Sequence, residues 1–167
     1  MAITLTADRP YPASTAPPGI ARLQRALLWA AGCGGAIVMI EPSPYEIATL
    51  IAIIFFYATG LRMRPVFLPL LFLLVAMNIG YTICAAYLMD QSKIVNWIIT
   101  SWYMTITAIF FAIALSDDTQ PRLDALRRGL IFGALIASIT GFIGYFHLMP
   151  GGEDLFTLYG RVKGTFK

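Results

Sequence analysis

Long stretches without a charged side chain are the feature that most constrains this chain. Residues 65–89, 94–116 and 129–152 contain no Asp, Glu, Lys or Arg, and residues 26–40 and 47–61 are shorter stretches of the same kind. A membrane-spanning helix needs about 20 mostly apolar residues. Of the 167 residues, 58% are apolar and 13% are charged, whereas soluble domains carry about 25% charged residues. The sequence therefore predicts an all-α, polytopic helical membrane protein.

The apolar stretches predict about five transmembrane helices. Their expected bounds are Leu23–Ile40, Tyr45–Leu61, Val66–Met89, Ile94–Leu115 and Leu126–Met149. The last three are long enough to span without further argument.

The first two predicted helices are short, and only residues 41–46 join them. One alternative is a re-entrant hairpin, but its tip would leave Glu41 and Glu46 at membrane depth, where charge is costly. Pro42 and Pro44 interrupt the helix between them. A tight spanning hairpin is therefore preferred, and both alternatives return the chain to the same side.

The distribution of lysine and arginine predicts the orientation, because cytoplasmic loops carry the excess of both. With the N-terminus in the cytoplasm, eight of the 12 basic residues lie inside. These are Arg9, Arg22, Arg25, Arg62, Arg64, Arg122, Arg127 and Arg128. Outside lie Lys93, Arg161, Lys163 and Lys167, so the carboxyl-terminal segment is unusually basic for its side of the membrane.

Three regions follow from this pattern. Residues 1–20 contain Pro, Ser, Thr and Ala without helical periodicity and are expected to form a disordered cytoplasmic leader. Residues 21–149 are expected to form the five-helix transmembrane region, and residues 150–167 the beginning of a periplasmic loop. The net charge of +3 is too small and too scattered to indicate a nucleic-acid partner.

The fifth helix carries a stripe of small residues. Gly129, Gly133, Ala137 and Gly141 recur every four positions, which lets another helix backbone approach closely. Asn78 and the hydroxyl residues of the fourth helix are expected to hydrogen-bond between helices or to their own backbones. No ionisable residue falls at the centre of a predicted span, which argues against a carrier or a channel.

Few residues at the predicted outer surface suggest chemistry. His147 is the single histidine and is expected foremost to be a polar residue at the interface. Glu153 and Asp154 are adjacent, so they do not face each other across a substrate as paired acid and base groups would. These three residues are too few for a metal site, and neither a metal nor another cofactor is expected.

The segment Gly160-Arg161-Val162-Lys163-Gly164 has a composition suited to anions. Arginine offers a planar fork that matches phosphate oxygens, and lysine adds a point charge. Glycine permits close backbone approach. From the residues alone, a solvated basic turn is the simpler interpretation.

Two stretches resemble the front part of the O-antigen ligase and polymerase family of bacterial inner-membrane proteins. One is Glu41-Pro-Ser-Pro-Tyr-Glu46 leading into residues 55–62, FFYATGLR. The other is residues 159–166, YGRVKGTF, which is similar to the R-x-x-G-x-F element of that family. The resemblance implies an amino-terminal fragment of a larger protein with ten or more helices and a large periplasmic loop.

The resemblance also implies a function. The family transfers or polymerises a glycan from an undecaprenyl-pyrophosphate-linked donor to a lipid or glycan acceptor at the periplasmic face, without a metal. Arg161 matches the motif arginine and is the expected contact to the pyrophosphate. Lys163, Gly164 and His147 are weaker candidates for substrate binding. The catalytic base of the family lies in the later loop and has no counterpart here, so the isolated chain is expected to be inactive.

A second hypothesis remains open. The chain is then a small, non-enzymatic membrane subunit that packs against a partner through the small-residue stripe of helix five. Its basic tail would contact lipid headgroups.

Overall fold

A computed structural model describes residues 17–36, 43–88 and 92–146, together with the strand residues 157–158 and 161–162. The described chain is almost entirely helical, which confirms the all-α part of the prediction. The five α-helices are α1 (Pro18–Gly34), α2 (Pro44–Ala58), α3 (Leu68–Ala85), α4 (Ser92–Ala114) and α5 (Thr119–Tyr145). Short 3-10 turns, Pro65–Phe67 and Ala86–Leu88, flank α3, and two strands, β1 (Thr157–Leu158) and β2 (Arg161–Val162), follow α5.

Three helical segments are long and apolar enough to cross a membrane. They are Pro65–Ala85, Lys93–Ala114 and Thr119–Ile143, and α2 is a shorter apolar helix. With 15 residues, α2 is about 22 Å long, less than the roughly 30 Å of a bilayer core. The helices are therefore consistent with a membrane protein that has at least three spans.

The predicted helix bounds differ from the observed ones mainly at both ends of α1 and at the start of α5. Helix α1 ends at Gly34, at a pair of glycines, rather than at Ile40. Helix α1 begins at Pro18, inside the stretch predicted as a leader, because Pro18 occupies the first helical position, where a missing N–H costs nothing. Helix α5 begins at Thr119 rather than near Leu126. Asp118 precedes it with a φ of 53°, and its carbonyl oxygen accepts the first helical hydrogen bond, from the Arg122 amide, at 3.2 Å.

The start and the end of α2 follow from local sequence. Ser43 accepts a hydrogen bond from the Glu46 amide at 3.3 Å, and the Glu46 carboxylate accepts one from the Ser43 amide at 3.2 Å. This reciprocal pair satisfies two free amides of the first turn. At the other end, Gly60 has a φ of 97°, a conformation that glycine adopts without strain. The capping pair of Ser43 and Glu46 thus fixes the start of α2, and Gly60 fixes its end.

The chain divides into two compact units. In the described part, unit 1 contains α1, α2, α5 and the two strands, and unit 2 contains α3 and α4. The core of unit 1 includes the fully buried side chains of Leu28, Ala31, Ala52 and Phe56.

Helices α1 and α5 of unit 1 run parallel. Gln24 bonds to Arg122, Trp29 lies against Gly129, and Cys33 lies against Gly133, so both helices advance in the same direction. Helix α2 returns antiparallel to α1, because Gly34 lies against Tyr45, whereas Gln24 bonds to Thr59. The amino-terminal ends of α1 and α5 therefore share one end of unit 1, called the arginine end here.

In unit 2, α3 and α4 are antiparallel. Asn78 bonds to Thr105, and Trp102 bonds to Thr82 four residues further along α3. Most of the remaining surface of α3 is exposed and apolar, with Phe72 77% and Leu73 66% exposed. Such a surface suits contact with lipid chains or further apolar helices.

Candidate functional site

The Arg161 segment is described at four residues, which form a short antiparallel pair. Leu158 is opposite Arg161 and Thr157 is opposite Val162, so Tyr159 and Gly160 connect the two strands. Both strands contact α5. His147, Lys163 and Gly164 lie outside the described residues, as does the side chain of Arg161.

A hydrogen-bonded chain of side chains links all three helices of unit 1 at the arginine end. Arg122 Nη2 donates to Gln24 Oε1 at 2.8 Å, and Gln24 Nε2 donates to Thr59 Oγ1 at 2.8 Å. The Thr59 hydroxyl lies 2.8 Å from the carbonyl oxygen of Phe55, to which it donates. Arg122 is 5% exposed and Gln24 is 4% exposed. The residues Arg122, Gln24 and Thr59 are called the buried relay below.

Burial opposes the charge of Arg122, and several neighbouring groups offset part of that cost. Its guanidinium carbon lies 5.1 Å from the centre of the Phe56 ring, within the range of a cation–π interaction. Asp117 and Asp118 attract the guanidinium, whereas Arg25 repels it. Phe56 belongs to the last turn of α2, where the helix dipole also favours a positive charge.

The chemical role of the buried relay is structural. Its donors and acceptors are paired with one another, and it contains no carboxylate or thiol that could act as a nucleophile or base. Breaking such a buried pair on one side leaves an unsatisfied polar group, which costs about 1–3 kcal/mol. The relay therefore fixes where α1, α2 and α5 meet.

The pattern of charged residues predicts Arg122 in a cytoplasmic loop and therefore gives no sign of this relay. A proline within the first turn of a helix, here Pro121 after Thr119 and Gln120, is the signal that places Arg122 inside α5. No sequence feature pairs Gln24 with Arg122 across 98 positions.

The small-residue stripe of α5 lies against α1 over at least its first two members. A Cβ atom on Gly129 would overlap the carbonyl oxygen of Trp29, and one on Gly133 would lie 2.8 Å from the carbonyl oxygen of Cys33. From the other side, a Cβ atom on Gly32 would lie 2.7 Å from the carbonyl oxygen of Leu126. Further along the stripe, Ala137 is half-buried and Gly141 is buried. The two backbones approach as closely as they do because these positions lack side chains.

Unit 2 contains a second polar cluster, centred on Asn78. The Asn78 amide nitrogen donates to Thr105 Oγ1 and to the carbonyl oxygen of Leu74, and its amide oxygen accepts from Ser101 Oγ at 2.6 Å. Asn78 is fully buried. Hydrogen bonds both between helices and to the local backbone are thus present, as expected, and they join α3 to α4.

Within residues 17–36, 43–88, 92–146 and the two strands, no group of three or more His, Cys, Asp or Glu side chains is placed to hold a metal ion.

No protein-family model, no curated protein and no solved structure matches this chain.

Proposed function

We propose that this chain is the membrane-embedded front part of a glycan-transferring protein of the O-antigen ligase type in a bacterial inner membrane. Its donor is a glycan on undecaprenyl pyrophosphate, and its acceptor is a lipid or another glycan. The chain crosses the membrane five times in this proposal, with its N-terminus in the cytoplasm and residues 150–167 in the periplasm.

The parallel arrangement of α1 and α5 is the observation that carries the proposal. Arg22 and Arg25 on α1 and Arg127 and Arg128 on α5 all lie near the amino-terminal ends of these helices. Because α5 runs away from this end, its last turn at Tyr145 lies at the opposite end of unit 1. The segment with Arg161 follows that last turn along the chain, which supports a position across the membrane from the arginine end.

The chemistry that this segment suits is the departure of a pyrophosphate. An acceptor hydroxyl attacks the anomeric carbon of the donor sugar, and the bond from this carbon to the pyrophosphate oxygen breaks. Undecaprenyl pyrophosphate leaves with the electron pair, and the hydroxyl proton passes to a base outside these 167 residues. A guanidinium fork at Arg161 stabilises the charge that develops on the leaving group.

The short strand pair gives Arg161 and Val162 a paired backbone. Leu158 and Arg161 are directly opposite each other, so the connection between them consists of Tyr159 and Gly160. A two-residue connection of this kind holds its flanking residues in a fixed register. Arg161 therefore starts from a more ordered backbone than a solvated basic tail would provide, which favours a binding role.

In the alternative hypothesis, a non-enzymatic subunit packs against a partner helix through the small-residue stripe of α5. Gly129 and Gly133, however, already contact α1 within the chain. A partner helix would therefore have to use the later part of the stripe or the exposed face of α3.

Turnover of the lipid-linked donor tests the proposal. The protein expressed from its complete gene is reconstituted with an undecaprenyl-pyrophosphate-linked glycan and acceptor, and released undecaprenyl pyrophosphate is measured. We expect Arg161→Ala to reduce release by about 100-fold or more, in the range found for lost charge-stabilising donors. Arg161→Lys is expected to restore little of it, because an ammonium lacks the bidentate fork.

Lys167→Ala is the matched control, since it removes a positive charge from the same segment but lies outside the motif. It is expected to leave release within about twofold of the native rate. Equal losses in the Lys167 and Arg161 variants would indicate a general charge effect, and normal release in Arg161→Ala would remove Arg161 from the mechanism.

A further inference from the structure

An open cavity lies at the arginine end of unit 1, beside Arg25 of α1 and along the first three turns of α5. Its volume is about 420 Å³. It is lined by Arg25 of α1 and by Gln120, Pro121, Asp124, Ala125 and Arg128 of α5. The two helices thus each contribute one arginine to a single concave surface.

The charges of this cavity favour an anion. Among the residues that the structure describes, neither Arg25 nor Arg128 has a hydrogen bond or ion pair. Asp124 is the one carboxylate of the lining, and its Oδ1 atom lies 4.0 Å from Nη2 of Arg127, which is outside the lining. Asp117 and Asp118 interact with the buried Arg122 instead. The amino-terminal end of α5 adds a partial positive charge to the same surface.

The charged residues of α1 and α5 end at the cavity. Arg25 is the last charged residue of α1, and Arg128 is the last charged residue of α5. The helices are parallel, with Gln24 at the height of Arg122, so these two arginines lie close to one level, less than two helical turns apart. From these arginines to their carboxyl ends, both helices are uncharged.

In a membrane-spanning helix, the last charged residue before an apolar stretch marks the boundary between hydrocarbon and headgroups. Arg25 and Arg128 hold this position in α1 and α5. The headgroup layer of each leaflet is about 5–8 Å thick, and lipid phosphates lie within it. Basic pockets between membrane helices bind anionic headgroups in this layer. Arg25 and Arg128 both line the cavity, and each offers a planar fork that matches phosphate oxygens.

We propose that this cavity binds the phosphate of an anionic membrane phospholipid such as phosphatidylglycerol, with Arg25 and Arg128 as the contacting side chains. The site differs from the Arg161 segment in position and in ligand, and it does not depend on the proposed glycan transfer. Bound lipid would also bridge α1 and α5 at the end where the buried relay joins them.

Native mass spectrometry of the full chain tests the proposal. The protein is released from nanodiscs that contain equal amounts of phosphatidylglycerol and phosphatidylcholine, and the retained lipid is counted. We expect the native protein to retain phosphatidylglycerol selectively. The double variant Arg25→Gln/Arg128→Gln is expected to lose this selectivity by about 10- to 30-fold in relative affinity.

The matched control is Arg22→Gln, compared with Arg25→Gln alone. Each variant removes one positive charge from α1, but Arg22 lies outside the cavity lining and is exposed. Arg127 is kept, because it lies 4.0 Å from the Asp124 carboxylate of the lining. We expect Arg22→Gln to retain phosphatidylglycerol within about threefold of the native protein, as a general surface effect. Arg128→Gln alone serves as a second test, because Arg128 is exposed and its replacement leaves packing intact.

Three results would overturn the proposal. The first is equal retention of both lipids by the native protein. The second is an equal loss in Arg25→Gln and in the control Arg22→Gln. The third is displacement of phosphatidylglycerol by millimolar inorganic phosphate, which would indicate a site for free phosphate rather than for a lipid headgroup.

Discussion

Replacement of Gly129 by alanine tests the close approach of α1 and α5 most sharply. The added Cβ atom would overlap the carbonyl oxygen of Trp29, and it would lie 3.0 Å from the carbonyl carbon of Trp29 and 3.1 Å from the amide nitrogen of Cys33. All three are backbone atoms, so no side chain can rotate away to accept the methyl group. The two helices must therefore separate locally, by about 1 Å to reach ordinary contact distances.

The net cost can be worked from two opposing effects. Overpacking of a tight interface costs about 1–3 kcal/mol, and a backbone collision belongs at the upper end. Alanine recovers about 0.5–1 kcal/mol through its better helix propensity. We therefore expect Gly129→Ala to lower the free energy of unfolding by about 2–2.5 kcal/mol.

Gly80→Ala is the matched control. Gly80 lies within α3, and a Cβ atom placed on it would have no atom within 4 Å. Only the propensity effect remains, so this variant is expected to be more stable by about 0.5–1 kcal/mol. The same chemical change thus has opposite signs at the two positions.

The assay is thermal unfolding of the purified protein in detergent, followed by circular dichroism at 222 nm and by the fraction that remains monodisperse after heating. A shift of about 2–4 °C is expected for each kcal/mol in a chain of this size. A Gly129→Ala protein that unfolds at or above the native temperature would contradict the α1–α5 contact. An equal decrease in both variants would mean that glycine matters at these positions for reasons other than packing.

The remaining predictions concern buried polar groups of unit 1, and each is checked by unfolding in the same detergent. Arg122→Met and Gln24→Leu are each expected to destabilise by about 2–4 kcal/mol, whereas the double variant costs about 1–3 kcal/mol less than their sum, because neither partner is then left unpaired. Additive losses would contradict the buried relay. The hydroxyl of Thr49 is fully buried and has no hydrogen-bond partner in the described part of the chain, so Thr49→Val is expected to stabilise by about 1 kcal/mol. Thr59→Val removes a hydroxyl that is bonded to Gln24 and to backbone, and it is expected to destabilise by about 1–2 kcal/mol; equal responses at the two threonines would refute the assigned bonds.

The presence of the helices was largely predictable from the sequence. A long uncharged stretch in a membrane must satisfy its backbone hydrogen bonds internally, and a helix does this within one segment. The observed α4, Ser92–Ala114, lies close to the predicted Ile94–Leu115. The start of α5 was missed by several residues, since charge was taken as the end of a helix. A helix can continue past the hydrocarbon boundary, because its backbone hydrogen bonds form within the helix itself. Arg122 lies in the part of α5 that precedes the predicted start.

The contacts between distant segments were the part that the sequence could not supply. The stripe on α5 predicted a close helix neighbour, but nothing in its spacing identifies α1 as that neighbour. Gln24 and Thr59 give no sign in the sequence that they share a bond, because each is an ordinary polar residue near a helix end. Such pairings depend on how the helices pack, which is decided by the whole of unit 1.

The proposed glycan transfer requires the Arg161 segment and the arginine end to lie on opposite sides of the membrane. This claim is tested by thiol labelling in a Cys33→Ala/Cys84→Ala background, which removes the two native cysteines. Gly19→Cys reports on the arginine end, where a side chain meets no atom within 4 Å, and Thr165→Cys reports on the Arg161 segment.

Intact cells of a Gram-negative host with a permeabilised outer membrane are treated with a membrane-impermeant maleimide, and lysed cells provide the reference for complete labelling. We predict that Thr165→Cys is labelled in intact cells, whereas Gly19→Cys is labelled only after lysis. Labelling of both positions from the same side would contradict the account, because it would place the pyrophosphate-binding segment beside the lipid cavity.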